Sequence, residues 1–196
     1  FFTYGIIGTL TEWLDEGINV VPISVNVSRV HLYDINFVDA FTKLIDSYNI
    51  SHELIELELT ESIFLDNTEV ALSTMKKFRN YGFKVSIDDF GAGYSSLNLL
   101  KDMTSDVLKL DKEFFGRGEL QKEEEIIVSS IVNMAKQLNM KVLSEGVETV
   151  SQSKFLKEIA CDMAQGYLFA KPMPKESFEL IMANKLQFCH ETYKNC

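Results

Sequence analysis

Acids, an amide and an amine stand at the end of apolar runs, or interrupt them, at six positions in this chain. Asn26 sits in Val25-Asn26-Val27-Ser28 and Glu58 in Ile55-Glu56-Leu57-Glu58-Leu59-Thr60-Glu61. Asp88 and Asp89 close Lys84–Asp89, Lys109 lies inside Val107–Leu110, and Glu145 closes Lys141–Glu145. An isolated carboxylate is costly to bury unless it is paired or bound to metal. Glu58, Asp88, Asp89 and Glu145 gathered in one place would repel each other at neutral pH, and divalent cations would relieve that repulsion. Carboxylates joined by an amide such as Asn26 are hard oxygen donors, which suit Mg²⁺ or Mn²⁺ rather than zinc. The histidines, His31, His52 and His190, are too scattered for a histidine-rich zinc site. One of the paired aspartates could bridge two ions about 3.5–4 Å apart, the spacing that stabilises attacking and leaving oxygens in phosphoryl chemistry. Lys109, within an apolar strand, calls for anionic company; it would orient a nucleophile or neutralise a phosphate oxygen.

Each of these features also has an ordinary explanation. The Glu56/Glu58/Thr60 alternation fits a half-exposed strand, and Asp88-Asp89 ahead of Phe90-Gly91 fits a turn. A lysine can snorkel to solvent, Asn26 and Ser28 can cap a following helix, and Gln165-Gly166 can mark a bend. Their coincidence at strand ends favours a shared site.

Such a site needs a scaffold that brings strand ends together. Strand-length apolar runs recur over Val21–Asn26, Ile55–Thr60, Lys84–Asp89, Val107–Leu110, Lys141–Glu145 and Met163–Phe169. Helical spacing fills the intervals. Phe37, Phe41, Leu44 and Tyr48 form one stripe, and Ala71, Met75 and Phe78 another, begun near Asn67 and ended by Gly82. Ile127, Ile131, Met134 and Leu138 form a third, behind Glu123, Glu124 and Glu125, which suit a helix N-terminus. Further helices are expected over Gly8–Glu16, Ser151–Ile159 and Lys175–Leu186. Strand and helix in alternation imply a parallel sheet. The polar strand ends favour an α/β barrel of the TIM-like (β/α)8 type, whose active sites lie at the C-terminal rim, over a doubly wound open sheet. A full barrel takes about 250 residues; with 196 residues and six visible strands, about the first two are expected to be missing.

Composition narrows the function. The chain is 46% hydrophobic and 24% charged, as expected of one globular domain over residues 1–196. Nineteen Lys and Arg against 29 Asp and Glu leave a net charge of −10, which argues against a DNA or RNA polymer as partner. A small anionic ligand remains open if cations supply the positive charge. Cys161, Cys189 and Cys196 are odd in number and lack metal-ligand spacing, as expected of reduced thiols in a cytoplasmic protein. No apolar run reaches the roughly 20 residues of a membrane-spanning helix.

The segments Val25-Asn26-Val27-Ser28, Glu58-Leu59-Thr60-Glu61-Ser62, Ile87-Asp88-Asp89-Phe90-Gly91-Ala92-Gly93-Tyr94-Ser95-Ser96-Leu97, Leu108-Lys109-Leu110-Asp111, Ser144-Glu145-Gly146-Val147-Glu148-Thr149 and Gln165-Gly166-Tyr167-Leu168-Phe169 together resemble the EAL domain family, from about Gly5 to Pro174. The resemblance implies a (β/α)8-type barrel that hydrolyses cyclic di-GMP to linear pGpG with Mg²⁺ or Mn²⁺, two ions being expected. It implies metal ligands at Asn26, Glu58, Asp88, Asp89 and Glu145, with Asp88 bridging. Lys109 would position the attacking water, with Glu145 also viewed as its base. Gln165 and Glu148, with Ser28, would support the metals and substrate, and Glu61 would hold the Asp88–Leu97 loop in its active shape. A homodimer follows from the same resemblance, and an upstream sensor or GGDEF domain is common in the family. The Glu-Ala-Leu signature, whose glutamate is a further ligand in the family, belongs to an earlier strand, and this chain begins after it. The intact downstream motifs favour an active parent enzyme; the alternative is a module that binds cyclic di-GMP without cutting it.

Overall fold

Runs rich in Ile, Val and Leu, buried between a concave inner face and a helical layer, become strands; the amphipathic segments between them become the helices that cover the outer face. A computed structural model describes residues 2–91, 100–101, 105–115 and 120–182. Residues 92–97 of the expected loop, 183–186 of the expected last helix, Cys189 and Cys196 lie outside the described residues.

The strands are β1 Ile23–Asn26, β2 Ile55–Thr60, β3 Lys84–Phe90, β4 Val107–Leu110, β5 Lys141–Ser144 and β6 Met163–Ala164. They form one sheet in sequential order, and every neighbouring pair is parallel. Helices α1 Phe2–Asp15, α2 Arg29–Leu32, α3 Phe37–Ser47, α4 Glu61–Asp66, α5 Thr68–Asn80, α6 Lys122–Gln137, α7 Val150–Glu158 and α8 Lys175–Met182 occupy the connections and the start and end of the described chain. This is the strand order of a TIM-like barrel. Leu57, Leu59, Val85, Ile87, Leu108, Leu110 and Val142 are fully buried in one core with Ile45, Met75, Phe78, Val128 and Val132.

Local signals set the helix ends. Asn67 caps α5 by accepting the Val70 N–H at 3.2 Å, and Gly82, at φ +94°, follows the last turn. Thr149 and Gln152 form a reciprocal capping box at the start of α7. Trp13 Nε1 donates to Glu179 Oε1 at 2.7 Å, tying α1 to α8. At the N-terminal end of the sheet, Asp106 and Asp162 repeat one device. Asp106 Oδ2 accepts the Val85 N–H of the preceding strand, and Asp162 Oδ2 accepts that of Val142, both at 2.9 Å.

Two expectations are corrected. The strand expected over Met163–Phe169 is paired only at Met163 and Ala164. Gly166 lies so close to Val147 that a Cβ would stand 2.2 Å from that residue's carbonyl oxygen. The chain turns around this contact, and the Phe169 and Ala170 N–H groups both donate to the Gly166 carbonyl. In α6 the buried stripe is Val128, Val132 and Ala135, while Ile127 and Leu138 of the expected stripe are 49% and 42% exposed. Both stripes have helical spacing, one residue apart, and the line of smaller side chains is the one fully buried, with Ile131 and Met134 packed beside it. No helix among the described residues is long and apolar enough to cross a membrane.

Candidate metal and catalytic site

Side chains two residues apart on a strand share a face, so Glu58 on β2, Asp88 on β3 and Lys109 on β4 project to the inner side while their apolar neighbours face the helices. Lys109 Nζ lies 2.8 Å from Glu58 Oε1, Asp88 Oδ1 and Glu145 Oε1 alike. In a flat sheet β2 and β5 would be about 14 Å apart, three strand spacings. Carboxylates from both meet one nitrogen, so the sheet curls around this point. Lys109 and Glu58 are each only 6% exposed.

The paired aspartates owe their placement to the backbone. In an extended strand they would point to opposite faces, but Asp89 takes a left-handed conformation at φ +55°. The β3–β4 register shifts between Ile87 and Phe90, around these two acids. The result is that Asp88, Asp89 and Glu145 offer oxygens that all lie within 4.8 Å of one another.

Charge is out of balance here. Burial opposes the Lys109 ammonium, but hydrogen bonds to Asp88, Glu145 and Glu58 outweigh it and hold its proton above the usual lysine range. Burial raises the Glu145 carboxyl, with Asp88 and Glu58 adding to the rise against the pull of Lys109. Asp89, although exposed at the rim, is raised by the partial desolvation of its carboxylate, then by Asp88 and Asp111. One ammonium thus faces four carboxylates. A set of hard oxygen donors with unspent negative charge fits a divalent cation.

The other expected residues are placed as follows. Asn26 is exposed on β1, opposite Glu58 in the β1–β2 register, where the Val27 N–H donates to the Glu58 carbonyl at 2.9 Å. Glu61, the first residue of α4 and 4% exposed, accepts the Gly91 N–H on Oε2 at 2.9 Å. Its Oε1 is buried without a partner among the described residues. Ser28 is exposed and its hydroxyl pairs with His31 Nδ1 at 3.1 Å. Gln165 is anchored by its backbone, its N–H donating to Ser144 and its carbonyl accepting from Val147. Glu148 and Gln165 are both exposed at the rim, and no side-chain hydrogen bond joins them among the described residues. Asp111, given no role in the sequence reading, adds to the charge on Asp89. Its position two residues beyond Lys109 was the available signal.

Comparison with known proteins identifies the family. The EAL domain family model matches residues 6–172. The Escherichia coli K12 protein named cyclic di-GMP phosphodiesterase PdeR is 38% identical over 174 residues, covering 89% of this chain and 26% of its own length. The chain spans 20% to 26% of the length of the curated relatives first matched. The Pseudomonas aeruginosa MucR phosphodiesterase, solved as a c-di-GMP complex, superposes with a TM-score of 0.79 at 34% identity, covering 88% of this chain and 70% of that one. Klebsiella pneumoniae BlrP1, solved at pH 9.0 as a manganese and cyclic di-GMP complex, gives a TM-score of 0.74 at 28% identity, covering 84% and 42%. The curled parallel sheet, its helices and the family match over residues 6–172 lead to one conclusion: this chain belongs to the EAL domain family.

Proposed function

We propose that this protein is a metal-dependent phosphodiesterase that opens cyclic di-GMP to linear pGpG. The observation that carries the reading is the cluster at the rim, where three carboxylates share Lys109 and Asp88, Asp89 and Glu145 converge within 4.8 Å. The names of the relatives supply the substrate class, and BlrP1 supplies a manganese precedent.

Glu58, Asp88, Asp89 and Glu145, with the Asn26 amide, would hold two Mg²⁺ or Mn²⁺ ions. Bound there, the ions supply Lewis-acid polarisation of the phosphodiester and charge neutralisation at its oxygens. The protein's own groups do the rest. The Lys109 ammonium, fixed between three carboxylates, orients the attacking water and faces the phosphate with a proton it does not lose at neutral pH. Glu145, raised by burial, accepts the water proton. Glu61 holds Gly91, and through it the chain that carries Asp88 and Asp89. Gln165 and Glu148 stand at the rim, where the nucleotide would lie.

The test is chromatographic separation of cyclic di-GMP from pGpG after incubation with the purified protein in Mn²⁺ or Mg²⁺. Hydrolysis is expected, with loss on chelation and in Asp88→Asn. Tight binding of the nucleotide without turnover in Mn²⁺ would refute the enzymatic reading.

A further inference from the structure

The short 3-10 turn Lys112–Phe115, which follows Lys109 and Asp111, stands between the two chain segments that carry the candidate metal ligands. On one side the Phe114 ring meets Gly91, two residues past Asp89: a Cβ at Gly91 would fall 2.0 Å from Phe114 Cζ and 2.1 Å from Cε2. On the other side Lys112 meets Gly146, the residue after Glu145: a Cβ there would fall 2.3 Å from Lys112 Cβ and 3.2 Å from its Cα. Both glycines have positive φ, +97° and +67°, a conformation that glycine adopts without steric cost. Gly91 is therefore gripped from two directions, by the Glu61 carboxylate on its N–H and by the Phe114 ring on its Cα face. The turn is itself fixed, because Asp111 accepts the Glu113 N–H on Oδ1 at 2.7 Å and the Phe114 N–H on its carbonyl at 3.2 Å. Phe115 is 1% exposed in the core below.

We propose that this turn is a spacer that sets the gap between the Asp88-Asp89 pair and Glu145, with Phe114 as a positioning residue for metal binding. Phe114 donates nothing to a metal or a phosphate. It acts through the Gly91 backbone, and the Lys112 backbone and Cβ act through Gly146. A metal site needs its donors held at fixed separation; β4 and the Lys109 ammonium tie the two strand ends together, and the turn adds contacts at the two glycines where the chain leaves the ladder. This inference rests on the metal-dependent reading above and adds to it the residues that pre-set the carboxylate spacing.

The test is Mn²⁺ binding by calorimetry on the purified protein, alongside kcat and KM for cyclic di-GMP. Phe114→Ala and Phe114→Leu are each expected to weaken Mn²⁺ binding by about 10- to 100-fold, the range for groups that orient metal ligands. The kcat is expected to fall while the nucleotide KM changes little. Phe114→Tyr is also expected to weaken binding, because its hydroxyl would land on Gly91. Lys112→Ala keeps the contacting Cβ and is expected to bind Mn²⁺ as the parent does. Gly91→Ala should damage the parent more than it damages a Phe114→Ala background, because there the clash with the ring is gone and only the backbone strain at φ +97° remains. Phe78→Leu, a core change in α5, controls for lost stability and should leave Mn²⁺ affinity unchanged. Parental Mn²⁺ affinity in both Phe114→Ala and Phe114→Leu would overturn the spacer while leaving the metal site standing. A parent protein that binds no Mn²⁺ would overturn the metal reading itself, and the spacer with it.

Discussion

Replacing Lys109 by methionine keeps most of the side-chain volume and removes the charge, leaving Glu58, Asp88 and Glu145 facing one another without their shared cation. Each of the three contacts is 2.8 Å, worth about 6 kcal/mol of gross attraction at an effective dielectric of about 20. Desolvation of the ions and repulsion among the acids offset most of that total, and removing one partner of a buried pair typically costs about 3–5 kcal/mol net. For a chain of 196 residues that corresponds to a fall in melting temperature of roughly 6–20 °C. The assay is thermal and urea unfolding in chelator, repeated with saturating Mn²⁺. In chelator Lys109→Met should lose the full amount; with Mn²⁺ the cation takes over part of the neutralisation and the loss should shrink. A variant that melts within about 2 °C of the parent in chelator would refute the claim that the ammonium is what reconciles these acids.

Other outcomes follow from the same geometry. Asp89 and Glu145 hold their protons more tightly than ordinary carboxyls, and both must release them to bind metal. Mn²⁺ affinity should therefore rise with pH from the carboxylate range towards neutrality, and metal-free protein should be relieved of repulsion as pH falls; calorimetry and melting curves across pH 5–8 check both. Glu61→Ala leaves the Gly91 N–H without its acceptor and should cost about 1–3 kcal/mol in urea unfolding, while Glu61→Gln keeps an acceptor and should retain most of the stability. Burial raises the Cys161 thiol, so iodoacetamide at pH 8 should alkylate Cys161 far more slowly in folded than in unfolded protein, as peptide mass spectrometry would show. The raised thiol also means that stability falls as the solution passes above the ordinary cysteine range, where the unfolded chain ionises first.

The strands were legible because a sheet buried on its outer face demands β-branched and aliphatic runs, and a lysine inside one of them, Lys109, stood out by its cost. The acids at strand ends were legible for the same reason. Less visible was anything that depends on close backbone approach. Gly166 against Val147 cut short the strand expected to reach Phe169; the local pattern offered a bend at Gln165-Gly166 as an alternative but not the contact that causes it. The stripe on α6 was half right: Ile131 and Met134 pack against the core, but its fully buried line is Val128/Val132/Ala135 and the ends, Ile127 and Leu138, are exposed. That Asp88 and Asp89 share one side depends on a left-handed residue at position 89, which composition does not reveal. Nothing in the local pattern singles out Phe114, whose place depends on the approach of its ring to Gly91.

The aspartates at the other end of the sheet have their own implication. Asp106 and Asp162 each bind the N–H near the foot of the neighbouring strand, at the opposite strand end from Asp88 and Asp89, so under the proposed function the molecule divides its labour along the strand axis: foundations below, chemistry above. Removing either foot carboxylate should let the protein melt sooner while the surviving folded molecules turn over at the parental rate. A lineage of such proteins could therefore gain or lose heat tolerance at its base without retuning its reaction.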